Sequence, residues 1–162
     1  MASGSPAIPM GNPGDPLVFL LHGGGQTRHA CGAVGRLLGE AGYFAVAFDA
    51  QRHGDSDWSP EGDYSQDASA RELKCIVARW LVLLGASMGG GTSLVAIVEE
   101  QVDASALILV DIVPYTKPAG VARIHAFIQQ HPERFGSLEE VGDTISRYRP
   151  TQSRGLSNKV RV

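Results

Sequence analysis

The most informative part of the sequence is Leu81-Val82-Leu83-Leu84-Gly85-Ala86-Ser87-Met88-Gly89-Gly90. Its first four residues form an apolar run of the length that a buried strand needs. Glycines on both sides of Ser87 give the pattern G-x-S-x-G, and the apolar residues at 94–98 indicate a helix directly afterwards. The sequence therefore predicts a strand, a tight turn with Ser87 at its tip, and a helix.

Similar elements repeat on both sides of this stretch. Apolar runs at 17–21, 43–48 and 106–110 predict three more strands, and apolar residues at helical spacing predict helices over 27–41 and after Ser65. Strands that are apolar on both faces and alternate with helices are typical of a parallel sheet covered on both sides. We therefore expect an α/β fold with a mostly parallel sheet and helices on both faces. The residues expected to face the sheet from these two helices are Ala30, Val34, Leu37, Leu38, Ala41, Leu73, Ile76, Val77 and Trp80.

The alternation of strands and helices does not continue to the end of the chain. Pro118 begins a predicted helix, and Ser137 with Glu140 forms a capping-box pattern at the start of another. Two helices without a strand between them are more typical of an insertion or lid than of a continuing sheet. We therefore divide the chain into a core, residues 1–114, and a helical, lid-like segment, residues 115–162.

Composition and charge exclude several classes of function. The 162 residues are 43% hydrophobic, which suffices for one core, and the net charge of −3 without a basic run gives no reason to bind nucleic acid or an anionic membrane. Cys31 and Cys75 cannot form a disulfide framework, and neither has a partner at metal-ligand spacing. Residues 1–15 lack the charged and apolar regions of a secretory signal. We expect a cytoplasmic protein without a metal or another cofactor.

Residues 80–98 permit a second interpretation, because they contain no charged residue and are long enough to span a bilayer. Four glycines and several small polar residues interrupt this stretch, and a spanning helix would tolerate them poorly. We therefore favour a strand, a turn and a helix over a membrane span.

Two features of the sequence are candidates for chemistry. A strand-turn-helix setting exposes a serine such as Ser87 at the carboxyl edge of the sheet, and the amide of Met88 then points toward a developing oxyanion. The second feature is the loop Leu21-His22-Gly23-Gly24-Gly25-Gln26, whose glycines free backbone amides as donors. Two alternatives stay open. The first is an ordinary glycine-rich turn at Ser87, and the second is a nucleotide site, for which Asp49 would supply the acid at the end of the next strand.

Together, four elements resemble the α/β-hydrolase superfamily and occur in its order. They are His22 to Gly25, the strand ending at Asp49 with the segment Arg52 to Ser56, the turn Gly85 to Gly89, and Leu109-Val110-Asp111 at the end of the next strand. The resemblance covers about residues 16–148 and is strongest to the group of esterases, epoxide hydrolases and cofactor-free haloperoxidases.

The resemblance implies a role for each matching residue. Ser87 would be the nucleophile, and the amides of Gly24 and Met88 would form the oxyanion hole. His22 would orient the glycine-rich loop. The segment at 52–56 would be a supporting turn near the site.

The chain departs from the family pattern in the rest of the catalytic triad, which runs Ser, then Asp or Glu, then His. The histidines after Ser87 are His125 and His131, both in the lid-like segment, and His125 is expected on the solvent side of its helix. Asp111 is the carboxylate expected at the end of a strand beside the Ser87 strand. We consider Asp111 as the triad acid, with helix capping or loop bracing as the alternative.

Two further departures concern the length of the fold. In the family, a pair of strands usually precedes the strand that leads into the glycine-rich loop, and residues 1–16 leave no room for this full pair. In addition, residues 78–81 join helix and strand without a polar connector. We therefore expect an incomplete, truncated version of the fold. Such a sheet has an exposed edge, which favours self-association.

Two hypotheses about function result. In the first, the chain is a serine hydrolase that acts on an ester-like small molecule through Ser87. In the second, it is a catalytically inactive fragment or pseudoenzyme, because it lacks an evident triad histidine. A haloperoxidase or perhydrolase type of activity in a full-length form is a further alternative, and the residues do not identify a substrate.

Overall fold

The computed structural model describes residues 6–77, 81–112, 117–129 and 136–148. The junction at 78–80, the histidine at 131 and everything after 148 lie outside these ranges. The described elements are β1 (Ala7–Met10), β2 (Leu17–Leu21), a 3-10 turn (Arg28–Cys31), α1 (Gly32–Glu40), β3 (Phe44–Phe48), α2 (Gln66–Ile76), β4 (Leu81–Ala86), α3 (Met88–Val98), β5 (Ala104–Val110), α4 (Pro118–Gln129) and α5 (Leu138–Tyr148).

The sheet has the order β1-β3-β2-β4-β5. β2 runs parallel to β3 and to β4, and β4 runs parallel to β5, whereas β1 is antiparallel to β3. The α/β fold and its mostly parallel sheet are therefore confirmed. β1 was not expected, because Pro6, Pro9 and Gly11 give its surroundings the composition of a loop. An edge strand tolerates Pro9, since a missing amide on the outer side costs no ladder hydrogen bond.

The core lies on both faces of the sheet because successive side chains of β2 point in opposite directions. Leu20 belongs to a buried cluster against which Leu38 of α1 packs. Leu21 belongs to a second buried cluster, which includes Leu73 of α2 and Ala96 of α3. The expectation of helices on both faces is confirmed.

The predicted apolar face of α1 is partly wrong. Val34 and Leu37 are 44% and 60% exposed. The face that packs on the sheet instead carries Gly35, where an added Cβ would lie 2.5 Å from Sδ of Met10. Because β1 was not predicted, the contact between Met10 and Gly35 could not be anticipated.

Helix α2 begins as expected but ends earlier. The Oγ atom of Ser65 accepts a hydrogen bond from the Ala68 amide at 3.1 Å, so the predicted N-cap is confirmed. Leu73 is buried as predicted, whereas Ile76 is the last helical residue and is 41% exposed. The predicted apolar face therefore does not extend to the end of the helix.

Residues 1–114 and 115–162 form separate compact units. In the second unit, α4 begins at Pro118, and the Ser137 Oγ atom accepts from the Glu140 amide at 3.2 Å. The Glu140 carboxylate accepts from the Gly136 amide at 2.7 Å, so the reciprocal bond of the capping box lies one residue outside its usual place. A lid-like role for this unit stays a prediction.

Residues 81–98 form β4 and α3, so the interpretation as a single spanning segment is wrong. Among the described helices, none is long and apolar enough to cross a membrane. β5 is the last strand of the described sheet, and Ile108 and Val110 on it are 46% and 45% exposed. Self-association through this edge stays a prediction.

Candidate active site

Ser87 lies between the end of β4 and the first residue of α3, and its side chain is exposed. Its backbone angles are φ 47° and ψ −110°, which a residue with a Cβ adopts at a cost of about 1 to 3 kcal/mol. The Ser87 amide donates to the Val110 carbonyl at 2.9 Å, and its own carbonyl accepts from the Gly91 amide at 3.1 Å. The expected tight turn with Ser87 at its tip is therefore confirmed, and its backbone is strained.

The glycines around Ser87 are required by close backbone contacts. A Cβ added to Gly89 would lie 2.6 Å from the carbonyl oxygen of Leu21, and one added to Gly85 would lie 2.5 Å from the carbonyl oxygen of Gly89. Distances this short are not seen for real Cβ atoms. The pattern G-x-S-x-G thus reflects the packing of α3 against β2 and β4.

The glycine-rich loop lies directly beside this turn. An ideal Cβ on Gly23 would be 3.5 Å from Cβ of Ser87, and one on Gly24 would be 3.9 Å from Cβ of Met88. Met88 begins α3, so its amide is at the positive end of the helix dipole. The structure therefore brings Ser87, Met88 and Gly24 together, and their catalytic roles stay predictions.

His22 joins this loop to the end of β3. Its ring is 2% exposed, Nδ1–H donates to the Gly23 carbonyl at 2.9 Å, and Nε2 accepts from the Ala50 amide at 3.1 Å. Burial lowers the pKa of His22, which favours the neutral tautomer that these two bonds need. The two bonds agree with the loop-orienting role that the resemblance implies.

Asp49 is fully buried at the end of β3 and its carboxylate is occupied. It accepts from the Arg28 amide at 2.6 Å, from the Asp55 amide at 3.1 Å, and from the Arg28 guanidinium. Burial by itself raises the pKa of Asp49, but these hydrogen bonds and the charge of Arg28 outweigh it and lower the pKa. The carboxylate is thus not free to bind a ribose, and the nucleotide site considered as an alternative has no acid at this position.

The segment at 52–56 forms a turn against the glycine-rich loop. His53 accepts from the Gly25 amide through Nε2 at 3.4 Å, and its Nδ1–H donates to the Gln51 carbonyl at 3.0 Å. The Ser56 hydroxyl donates to the Asp49 carbonyl at 2.6 Å. Sequence reasoning did not single out the contact of His53 with the loop, nor the pairing of Arg28 with Asp49. For the pairing of Arg28 with Asp49, the signals in the sequence were an arginine just after the glycine-rich loop and an aspartate at the end of the next strand.

Asp111 follows β5 directly, with φ 52° and an exposed side chain. Its neighbour Val110 accepts the hydrogen bond from the Ser87 amide. The backbone of Asp111 is therefore next to the turn, and its role as triad acid stays a prediction. His125 lies on α4, but its side chain, like the whole of His131, is outside what the structure describes. Within the described residues no cluster of His, Cys, Asp or Glu is suited to hold a metal ion.

A small recess beside the turn contains one carboxylate that the sequence did not reveal. It has room for about one water molecule and is lined by Leu21, His22, Phe48, Ala50, Ser69, Glu72, Met88, Gly89 and Thr92. Burial raises the pKa of Glu72, and a hydrogen bond from the Gln51 amide opposes this less strongly. The recess is mostly apolar, and Met88, whose amide is an oxyanion-hole candidate, is one of its lining residues.

Comparisons with known proteins agree with this geometry. An esterase of Mycobacterium tuberculosis is 35% identical over 105 residues, which are 61% of this chain and 34% of that protein. The sn-1-specific diacylglycerol lipase ABHD11 of Mus musculus is 31% identical over 119 residues, which are 70% of this chain and 38% of that protein. A solved esterase from a marine microorganism superposes with a TM-score of 0.72 at 22% sequence identity. The match covers 89% of this chain and 58% of the esterase chain.

The chain thus spans between a third and three fifths of the length of these relatives. A family model described as alpha/beta hydrolase fold matches residues 16–148, the range expected from the resemblance of the sequence. With the sheet order, the strained serine turn and the adjoining glycine-rich loop, this match shows that the chain belongs to the alpha/beta hydrolase fold family.

Proposed function

We propose that the protein is a serine hydrolase of ester-like small molecules and that Ser87 is its nucleophile. The observation that carries the proposal is the position of Ser87, exposed at the tip of a strained strand-to-helix turn and next to the glycine-rich loop. Esterases and a lipase among the similar proteins support an ester as the substrate class.

In the proposed reaction, Oγ of Ser87 forms a bond to the carbonyl carbon of the ester while a general base takes its proton. The carbonyl oxygen becomes an oxyanion that accepts hydrogen bonds from the amides of Met88 and Gly24. When the tetrahedral intermediate collapses, the bond to the alcohol oxygen breaks and the alcohol leaves with that proton. Water then releases the acid from the acyl-enzyme. Each oxyanion donor is worth about 3 kcal/mol in related reactions.

The general base sets the level of activity to expect. No histidine with a described side chain forms a hydrogen bond with Oγ of Ser87, and His22 and His53 use both ring nitrogens in other bonds. A positioned base contributes about two to four orders of magnitude. We therefore expect the 162-residue chain to hydrolyse activated esters barely above a Ser87→Ala control.

A fluorophosphonate probe tests the proposal without requiring turnover. We expect slow labelling of the peptide that contains Ser87, found by mass spectrometry, and none at this peptide in Ser87→Ala. Ser105→Ala is the matched control, because Ser105 is exposed but lies on β5. Labelling confined to other serines would overturn the nucleophile assignment. Fast labelling that His125→Ala or His131→Ala abolishes would show that a histidine of the second unit acts as the base.

A further inference from the structure

The loop between β3 and α2 holds a second group of residues that the proposed ester chemistry does not use. The guanidinium carbon of Arg52 lies 5.5 Å from the ring centroid of Trp58 and 5.2 Å from that of Tyr64. The two rings are 6.5 Å apart and nearly perpendicular, with an angle of 84° between their planes. We call Arg52, Trp58 and Tyr64 the aromatic clamp.

The backbone of Arg52 shows that this position is held against a conformational preference. Its φ is 65°, in the left-handed region where glycine is favoured. Cation–π contacts with two rings offset the cost of this strain. The contacts with Trp58 and Tyr64 therefore stabilise a backbone conformation that would otherwise suit glycine, and they fix the direction of the guanidinium.

The charge of Arg52 is not neutralised as the charges of neighbouring arginines are. Arg28 pairs with Asp49 and Asp55, and Arg71 pairs with Asp63 at 3.3 Å. By contrast, the Arg52 guanidinium has no ion pair or hydrogen bond with any residue in the described ranges. Because the two rings are nearly perpendicular, the planar guanidinium can lie flat on at most one of them, and its N–H groups without an acceptor are the donors that remain for a ligand.

Two in-plane N–H donors match the two oxygens of a carboxylate, which accepts such a fork in bidentate fashion. Trp58 is 68% exposed, so an apolar surface lies next to these donors. We propose that the aromatic clamp is a binding site for small aromatic carboxylates, with the carboxylate on Arg52 and the ring of the ligand on Trp58. The proposal does not depend on the proposed hydrolase activity.

The test follows the side-chain signals of Arg52 (Nε–Hε) and Trp58 (Nε1–Hε1) by ¹H–¹⁵N NMR while sodium benzoate is added to the full chain at constant ionic strength. We expect both signals to shift saturably. Benzamide, which has the same shape without the charge, should bind at least about 10-fold more weakly, which corresponds to about 1.4 kcal/mol. Equal binding of benzoate and benzamide, or of benzoate and inorganic phosphate, would overturn the assignment.

Three variants measure separately what the charge of Arg52, its planar fork of N–H donors and the ring of Trp58 contribute to benzoate binding. Arg52→Gln and Trp58→Ala should each weaken benzoate binding about 10-fold or more, and Arg52→Lys should also weaken it because lysine keeps the charge but lacks the planar fork. Arg36→Gln is the matched control, since Arg36 is an exposed arginine on α1, and it should leave binding unchanged. Unchanged binding in Arg52→Gln, with backbone amide signals that show a folded chain, would refute the proposal.

Discussion

The substitution Gly89→Ala tests whether the glycines beside Ser87 serve packing. The new Cβ would lie 2.6 Å from Leu21 O, whereas ordinary contacts begin at 3.4 Å, so α3 and β2 must separate by about 3.4 − 2.6 = 0.8 Å. Leu21 cannot move easily, because β2 pairs with Phe48 on one side and Gly85 on the other. Overpacking of this kind costs about 1 to 3 kcal/mol, and the helix propensity of alanine returns at most about 1 kcal/mol.

We therefore expect Gly89→Ala to lower the free energy of unfolding by about 1 to 2 kcal/mol, and Gly89→Val to lower it further. Urea denaturation followed by circular dichroism measures this as a lower transition midpoint. Gly32→Ala is the matched control, because Gly32 is at the start of α1 and an added Cβ meets nothing within 4 Å. It should leave stability unchanged or raise it slightly. If Gly89→Ala were as stable as Gly32→Ala, the close-packing argument would be wrong.

Three further predictions concern strain and buried charge. Ser87→Gly should be more stable than Ser87→Ala by about 1 kcal/mol in urea denaturation, because only glycine relieves the strain at this φ. Asp49→Asn should destabilise by about 3 kcal/mol at pH 7, because it leaves Arg28 without its buried partner. The pKa of Asp49 is lowered by folding, so this contribution is present above the unfolded pKa of about 3.9 and is lost as the pH falls toward the folded value. Urea denaturation of the wild type and of Asp49→Asn at pH 7 and at pH 3 measures this loss, because the two proteins should differ in stability less at pH 3. The pKa of Glu72 is raised by burial, so its contribution is complete below about pH 4.3 and is lost as the pH rises through the folded pKa. Glu72→Gln should therefore gain stability relative to the wild type at pH 7 and not at pH 4.

The sequence allowed the four parallel strands and the helices between them to be predicted, because each strand is a continuous apolar run. It did not reveal β1, since a short edge strand can contain Pro9 and makes contacts on one side only. The missing strand also explains the error in α1. Gly35 packs against Met10 of β1, and no periodicity of apolar residues marks a glycine as the contact point.

In the candidate site, Ser87 and the glycine-rich loop could be predicted because their local patterns require a particular backbone. The nucleotide alternative required a free acid at Asp49, yet the partner of Asp49, Arg28, is 21 residues earlier in the chain. Glu72 was not identified for the same reason, since the Gln51 amide that it accepts from lies on another element. Contacts between distant residues decide such cases, and one sequence carries no local signal for them.

Three of the four non-glycine residues with positive φ in the described chain lie at one edge of the sheet, and the fourth, Gln101, lies between α3 and β5. Arg52, Ser87 and Asp111 are non-glycine residues with φ between 47° and 65°, and they follow β3, β4 and β5 respectively. These strands are parallel, so their carboxyl ends meet at the same edge, where ligands bind in open α/β sheets. Each such residue costs about 1 to 3 kcal/mol. The buried pairing of Asp49 with Arg28 and the close packing of Gly89 on Leu21 are contacts of the same edge. We infer that they hold these backbone conformations in place, so the stability of this edge and the geometry of Ser87 should change together in the Asp49 and Gly89 variants.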